Sequence, residues 1–446
     1  MGDVGEAVEV LALVEKSVLD LPSALADLVE GQRTDLTSGE VGEPEGFDGL
    51  HHADELLVVR GAVTLGLGIG HFQLGQAEAA YRVLQSALPL NQRDGNRYAA
   101  LSCIYYLMRL DRLHGALGRA LANGRKGLLW IEQWSGAGRR RRPLARVSAH
   151  IRQTMARVHY ERDELDEAAR HIRQSTEYYE LVGSRFQVQG YALLIDLHQA
   201  LGEIEAAREY LGKLAQIVRA TGFSLPDTPV AAMIARRRLL LSRADLDLDD
   251  LLAGAVRWAE TVDLEWGDKL TYNREYELLT LAQVRVAQGR ATEVLPLLEQ
   301  LIAAAAERKG QLIAFLALQA VAHHVCGQIE AAQAALVRAL AIGEPEGYVR
   351  TFVDHGAPMA DLLRLARAQG VCVSYVNRLL NAMSEQMKDE RQTTGGQSSS
   401  VVRRLSSHLQ VGHRLHYRHV GGDPSWYRGE VPAHLFPQWV FPLQAR

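Results

Sequence analysis

The sequence predicts an all-α protein, a tetratricopeptide-like superhelical solenoid of antiparallel helix pairs followed by an irregular C-terminal tail. Two observations carry this prediction. Helical segments recur in pairs, and four of the intervals between neighbouring copies are 36, 52, 39 and 38 residues long. Of the 446 residues, 47% are hydrophobic but only 7% are aromatic, a composition that suits helices approaching one another through small and aliphatic side chains.

Each copy of the repeat is anchored at a Gly or Asp, because a tight helix hairpin needs a residue that tolerates the left-handed region at its C-cap. The position five residues after the anchor is small in five of six copies, and the position nine after it is mostly a larger apolar residue. The spacing is that of the tetratricopeptide repeat. The predicted anchors are Gly75, Asp111, Asp163, Gly202, Gly289 and Gly327. The longest interval, 87 residues, leaves room for one degenerate copy.

The repeats divide the chain into four parts. We expect an N-terminal helical piece and loop over 1–50, helical repeats over 51–345, a C-terminal helical cap over 346–386 and an irregular, disordered basic tail over 387–446. The tail has eight basic and four acidic residues, so the net charge of −4 combines a body of −8 with a tail of +4. The net charge of −4 gives no reason to expect a nucleic-acid binder, and the alternative is that the basic tail is an arm that contacts nucleic acid.

Breaks in the periodic pattern predict connections at 31–50, 223–230 and 243–250. The run Arg139–Arg142 is interpreted as a solvated loop, with a contact to phosphates or an acidic partner as the alternative. The tail histidines are also interpreted as plain basic surface, and transition-metal binding by that segment is the alternative. These four histidines are His408, His413, His416 and His419.

The cysteines and the N-terminal sequence indicate the cellular compartment of the protein. The three cysteines, Cys103, Cys326 and Cys372, are far apart and form no disulfide framework or zinc-spaced cluster. The acidic N-terminus lacks the basic and apolar regions of a signal peptide, and no stretch approaches the ~18 apolar residues that span a bilayer. We therefore expect a cytoplasmic protein without membrane contact.

A segment after the last repeat, GEPEGYVRTFVDHGAPMADLLR at 343–364, carries a resemblance to a known family. Together with the repeats, it resembles the tetratricopeptide-type (MalT-like) region of the large ATP-dependent LuxR-family transcriptional regulators of bacteria, over roughly 50–385. Its most specific part runs from Glu346 to Asp354. Next to it, Gly356 suits a turn and Pro358 suits the first turn of a new helix.

The resemblance implies a non-enzymatic sensor or protein-interaction region. A small-molecule inducer or protein partner on the concave face would shift an equilibrium between resting and active assemblies, with possible self-association. Separate modules of such regulators hydrolyse ATP and bind promoter DNA.

Neither flanking module is recognisable in this sequence. No G-x-x-x-x-G-K-[ST] occurs, and nothing after residue 386 has the pattern of a helical DNA reader. We therefore expect no direct ATP or DNA binding by this chain and no cofactor. The chain is interpreted as a fragment, a truncated regulator or one whose frame has shifted near 387. The alternative is a free-standing adaptor or scaffold protein.

Helical geometry names candidate residues for the concave groove. The first helix of each pair lines that face in solenoids, and residues three and six before an anchor are expected to face it. Polar side chains at these positions suit a sugar or a peptide. The predicted groove residues are Arg157, Tyr160, Asp196, Gln199, Gln283 and His324.

No arrangement of residues predicts catalysis or a metal site. Gly66, Gly68 and Gly70 follow no predicted strand, so they are not interpreted as a phosphate loop. A histidine falls four residues before four of the anchors, but successive repeats lie about 10 Å apart, too far to share an ion. These side chains are expected to pack within their repeats, and no metal is assigned to them. They are His71, His159, His198 and His323.

Overall fold

The structure is a computed structural model that describes most of the chain between residues 48 and 393. Almost all of the predicted connections at 31–50, 223–230 and 243–250 lie outside the described residues, as do Arg139, Arg140 and the tail beyond 393. The described ranges are 48–93, 95–134, 141–182, 187–221, 230–242, 249–262 and 272–393.

The described residues form α-helices and one short 3₁₀ helix, and no strand occurs among them. Most helices pack against the next one along the chain, so the predicted all-α solenoid of helix pairs is confirmed. The first helices are α1 (Asp48–Gln73), α2 (Ala77–Arg93), α3 (Arg97–Leu113), α4 (Leu117–Trp134), α5 (Arg141–Glu161), α6 (Leu165–Val182), α7 (Gln187–Ala200), α8 (Ile204–Thr221) and α9 (Val230–Leu241). The others are α10 (Asp249–Thr261), α11 (Tyr272–Ala287), α12 (Ala291–Ala304), α13 (Lys309–Val325), α14 (Ile329–Gly343), α15 (Arg350–Val353), α16 (Ala357–Ala368) and α17 (Val373–Thr393).

The chain divides into two compact units. The described part of the smaller one includes α1 and α2. These two helices approach so closely that a Cβ on Gly68 would come within 2.6 Å of Cγ of Leu84. Gly68 lies inside α1 and thus serves helix packing.

The larger unit, residues 101–396, contains the remaining repeats. Small residues at the predicted contact positions, such as Ala168 and Ala207, are completely buried. Helix α4 meets its neighbours through glycines: a Cβ on Gly124 would come within 2.7 Å of Met155 in α5 and 2.9 Å of Met108 in α3. Small residues therefore set the spacing between these helices.

The hairpin turns follow the predicted anchors except at one. Gly75, Gly202, Gly289 and Gly327 have positive φ, and Asp163 has φ 63°. The predicted anchor Asp111 is wrong, because it lies inside α3 and the turn comes four residues later. The residue with positive φ there is Gly115, at φ 81°.

The correction at Asp111 has a physical cause. The sequence offers both an Asp and a Gly within one helical turn, and Gly adopts the left-handed region at lower cost. Asp111 instead occupies the position four before the turn, where it is fully buried and its carboxylate accepts hydrogen bonds from Arg119 and Asn123.

After α14 the chain leaves the repeat pattern. Residues 344–346 form the 3₁₀ helix, Gly347 has φ 74°, and α15 follows; we call residues 346–354 the clasp. Pro358 lies in the first turn of α16, as predicted. The expected boundary at 386 falls inside α17, which continues to Thr393.

Among the described helices, none combines the length and apolar character needed to cross a membrane.

Candidate functional site on the first helices

The histidines before the anchors share one contact. In each hairpin, Nδ1 of the histidine donates a hydrogen bond to the Glu or Gln that directly follows the anchor, which ties the end of the first helix to the start of the second. The ring nitrogens lie close to their acceptors in His71–Gln76 (2.5 Å), His159–Glu164 (2.5 Å), His198–Glu203 (2.7 Å) and His323–Gln328 (2.6 Å). These side chains stabilise single hairpins, and we call them the turn pairs.

A second set of polar contacts joins successive first helices of the larger unit. Oδ2 of Asp196 in α7 accepts hydrogen bonds from Arg157 in α5, at 2.9 Å, and from Arg237 in α9, at 2.6 Å. Arg237 also donates to the hydroxyl of Tyr276 in α11, at 2.7 Å. These four residues, which we call the polar ladder, link four consecutive repeats side by side.

Opposite charges in the polar ladder stabilise one another's ionised forms. Asp196 and Arg237 are each about 1% exposed, and burial of an isolated charge is unfavourable. Burial opposes ionisation of Asp196, but Arg237 and Arg157 outweigh it and hold its pKa below the ordinary value. Burial likewise opposes ionisation of Tyr276, yet Arg237 and Arg236 lower its pKa. Removal of one member therefore leaves the others buried without their counter-charges.

The clasp lies against the ends of repeats far away in the sequence. The carboxylate of Glu346 accepts a hydrogen bond from the backbone N–H of Gly118, at 2.8 Å, in the first turn of α4. The Val349 N–H donates to the carbonyl of Glu161, at 2.8 Å, and the Thr351 N–H donates to the Glu161 carboxylate, at 2.8 Å. Backbone groups at three helix ends are satisfied in this way.

Arg350 lies at the centre of the clasp. This residue is 1% exposed, and its guanidinium contacts the carboxylates of Asp354, at 2.5 Å, and Asp163, at 3.4 Å. The hydroxyl of Tyr160 donates to Asp354 at 3.0 Å, and Arg350 lies over the Tyr160 ring. Burial disfavours the charge of Arg350, but the neighbouring Asp354 and Tyr160 raise its pKa above the ordinary value.

A close backbone contact accompanies the clasp. Gly310, at the start of α13, lies against the end of α3, so that a Cβ on Gly310 would overlap the carbonyl oxygen of Arg112 and approach that of Leu113 within 3.1 Å. The hydroxyl of Tyr348 in the clasp would also lie 3.1 Å from this Cβ. Only glycine fits here without a backbone shift.

The structure places the predicted groove residues in different surroundings. Arg157 and Asp196 belong to the polar ladder, and Tyr160 is buried beneath the clasp. Gln199 and Gln283 are buried, and His324 is half-buried. Arg157 and His324 are therefore the only two of the six with intermediate exposure.

Arg237, Tyr276 and the role of the clasp were not predicted from the sequence. One signal for the polar ladder is present in the sequence: Arg157 and Asp196 have opposite charges at the same position of successive repeats. No local signal identifies Arg350 as the partner of Asp163, because 187 residues separate them.

Two of the histidine rings meet within one hairpin. His159 of α5 and His171 of α6 stack with centroids 5.4 Å apart and ring planes at 7°. Burial, and then the charge of Arg170, lowers the pKa of His171 to about 4, so this ring is neutral at pH 7. Both rings belong to one repeat, so the spacing between successive repeats does not keep this pair apart.

Comparison with known proteins assigns the repeats to a family. A family model described as the MalT-like TPR region matches residues 50–369, well over half of the chain. No curated protein matches the sequence. The matched range contains the turn pairs, the polar ladder and the clasp. The chain therefore belongs to the family of proteins with a MalT-like TPR region.

Proposed function

We propose that this chain is the sensor and protein-interaction region of a LuxR-family, MalT-like transcriptional regulator in the bacterial cytoplasm. It binds a small-molecule inducer or a protein partner on the face formed by the first helices. In this proposal the chain is not an enzyme, and other modules of the regulator bind ATP and DNA.

Buried acceptor oxygens on this face carry the proposal. Oδ1 of Asp196, Oε1 of Gln199 and Oε1 of Gln283 are buried and accept no hydrogen bond from the described residues. All three belong to first helices, at the positions from which groove residues were predicted. An unsatisfied buried acceptor costs about 1–3 kcal/mol, and a ligand that offers O–H or N–H donors removes this cost.

The chemistry of the oxygens selects the ligand class. Hydroxyl groups of a sugar and backbone amides of a peptide both supply several such donors. Asp196 belongs to the polar ladder, and Gln199 and Gln283 lie on two of its helices, α7 and α11. A ligand that contacts all three therefore stabilises one arrangement of these repeats over others. Such differential binding is what shifts an equilibrium between resting and active assemblies.

Ligand titration of the full chain tests the proposal. Short neutral oligosaccharides and short peptides are titrated by calorimetry, and one of the two series is expected to bind. Gln199→Ala and Gln283→Ala should each weaken that binding about tenfold, which corresponds to ~1.4 kcal/mol for a lost hydrogen bond. Gln300→Ala, a change at an exposed position of α12, is the matched control and should bind as the native chain does.

The outcomes separate the alternatives. Binding that is insensitive to both glutamine substitutions would place the ligand elsewhere and contradict the proposed site. Peptide binding without any change of assembly state in sedimentation would favour the adaptor function instead.

A further inference from the structure

A cluster of possible metal ligands lies in the α5–α6 hairpin, away from the polar ladder. His159 comes from the last turns of α5, whereas Glu167 and His171 are one turn apart on α6. One donor atom from each of the three residues lies within 4.8 Å of the others. Nε2 of His171 lies 3.9 Å from Oε2 of Glu167.

The nitrogens of both rings are suited to coordination. His159 donates from Nδ1 to Glu164 at 2.5 Å, which leaves its Nε2 with a free lone pair; a carboxylate behind a ligating histidine is a recurrent feature of zinc sites. Nε2 of His171 faces a guanidinium N–H of Arg170 at 3.4 Å and is therefore an acceptor. The Nδ1 of His171 is buried and has no hydrogen-bond partner in the described part of the chain.

The next hairpin shows what packing alone requires. In α7–α8, His198 pairs with Glu203 and stacks on Tyr210, with centroids 5.4 Å apart and planes at 12°. Tyr210 stands at the position that His171 has in α5–α6, and Ala206 stands at that of Glu167. The repeat therefore needs an aromatic ring here, but neither a second imidazole nor a carboxylate.

We propose that His159, Glu167 and His171 bind one divalent transition-metal ion, with Zn²⁺ as the best match to two imidazoles and one carboxylate. A water molecule completes the coordination on the solvent side, where Glu167 is about half exposed.

Metal binding requires small local movements. Zn²⁺ ligands lie about 2 Å from the ion, so the three donors have to converge and one ring has to tilt out of the stack. Arg170, which now contacts the Glu167 carboxylate and is 54% exposed, turns away into solvent because its charge repels the cation. Both movements involve side chains only.

A difference in metal stoichiometry between full chains tests the proposal. The chelator-treated protein is titrated with Zn²⁺ by calorimetry and with Co²⁺ by visible absorption. We expect the native chain to bind one more ion than the double variant Glu167→Ala/His171→Tyr, which carries the residues of the neighbouring hairpin and should therefore fold. Because both chains keep the tail histidines, binding by the tail cancels in the difference.

Two further variants make the outcome unambiguous. Arg170→Gln should tighten Zn²⁺ binding several-fold, since it removes the competing cation; a purely structural cluster predicts no change. Glu167→Gln, at a half-exposed side chain, should weaken binding without disturbing the core. Equal stoichiometry and equal affinity in the native chain, Glu167→Gln and Arg170→Gln would overturn the proposal, whether or not the double variant folds.

Discussion

The turn pairs and the clasp stabilise the larger unit in opposite ways. A turn pair joins residues five apart, recurs from repeat to repeat and lies partly in solvent. The clasp occurs once, buries its central charge, and joins residues 187 or more apart. Repetition therefore builds individual hairpins, whereas a single non-repeated segment connects repeats that are distant along the chain.

The largest expected effect separates these two kinds of contact directly. Arg350→Ala leaves the carboxylates of Asp163 and Asp354 without their buried counter-charge, and should lower the free energy of unfolding by about 3–5 kcal/mol. His323→Ala removes one exposed turn pair and should cost less than about 1 kcal/mol. Urea unfolding followed by circular dichroism measures both. Equal losses would contradict the distinction between clasp and turns.

An intermediate effect is expected at the close contact beside the clasp. Gly310→Ala forces the backbone of α13 away from Arg112 and should destabilise the protein by about 1–3 kcal/mol. Gly212→Ala is the matched control, because a Cβ there meets nothing within 4 Å. That change should stabilise α8 by about 0.5–1 kcal/mol. Thermal unfolding should therefore shift in opposite directions, and a stabilising Gly310→Ala would disprove the contact.

An effect that is negligible at neutral pH and grows only on acidification concerns a histidine that belongs to neither class. His150 is buried, and its Nδ1 and the Tyr179 hydroxyl share a hydrogen bond of 2.6 Å. Burial, then Arg146 and Arg109, lowers the pKa of His150 to about 3. Below pH 6.5, His150 binds a proton in the unfolded chain, whereas in the folded chain it stays neutral until the pH approaches 3. Stability should therefore fall as the pH falls from 6.5 towards 3, by up to about 1.4 kcal/mol per pH unit.

His150→Gln checks this pH dependence. The Gln amide can still form a hydrogen bond with the Tyr179 hydroxyl but does not titrate, so the plot of unfolding free energy against pH should be flatter for the variant. The measurement is urea unfolding at several pH values between 6.5 and 4. Parallel curves for the two chains would show that His150 is not the titrating group.

Local patterns made the repeats predictable, since each turn needs a residue suited to positive φ and each contact position needs a small side chain. The error at Asp111 arose where two turn-compatible residues lie four apart, and the turn uses Gly115, which adopts positive φ at lower cost than Asp. The histidines four before the anchors were correctly expected to serve their repeats, although their partners one residue after the anchor were not recognised.

The polar ladder and the clasp were less predictable for a different reason. Which first-helix side chains meet depends on the rotation between successive repeats, and small rotations accumulate over many residues. Arg157 and Asp196 were expected to face a groove as separate groups, but the rotation brings them into contact. The pairing of Arg350 with Asp163 depends on the rotations accumulated over several repeats, and no short stretch of sequence determines their total.

The clasp also has a consequence for the order of folding. A linear array of repeats folds and unfolds piecewise, because each unit contacts only its neighbours. The clasp adds contacts of high sequence separation, which form late and slowly. During synthesis, α4, α5 and α6 emerge well before residues 346–354. Until the clasp is made, the negative charge of Asp163 lacks its ion pair with Arg350. Completion of the C-terminal part then converts a set of separate hairpins into one cooperative unit.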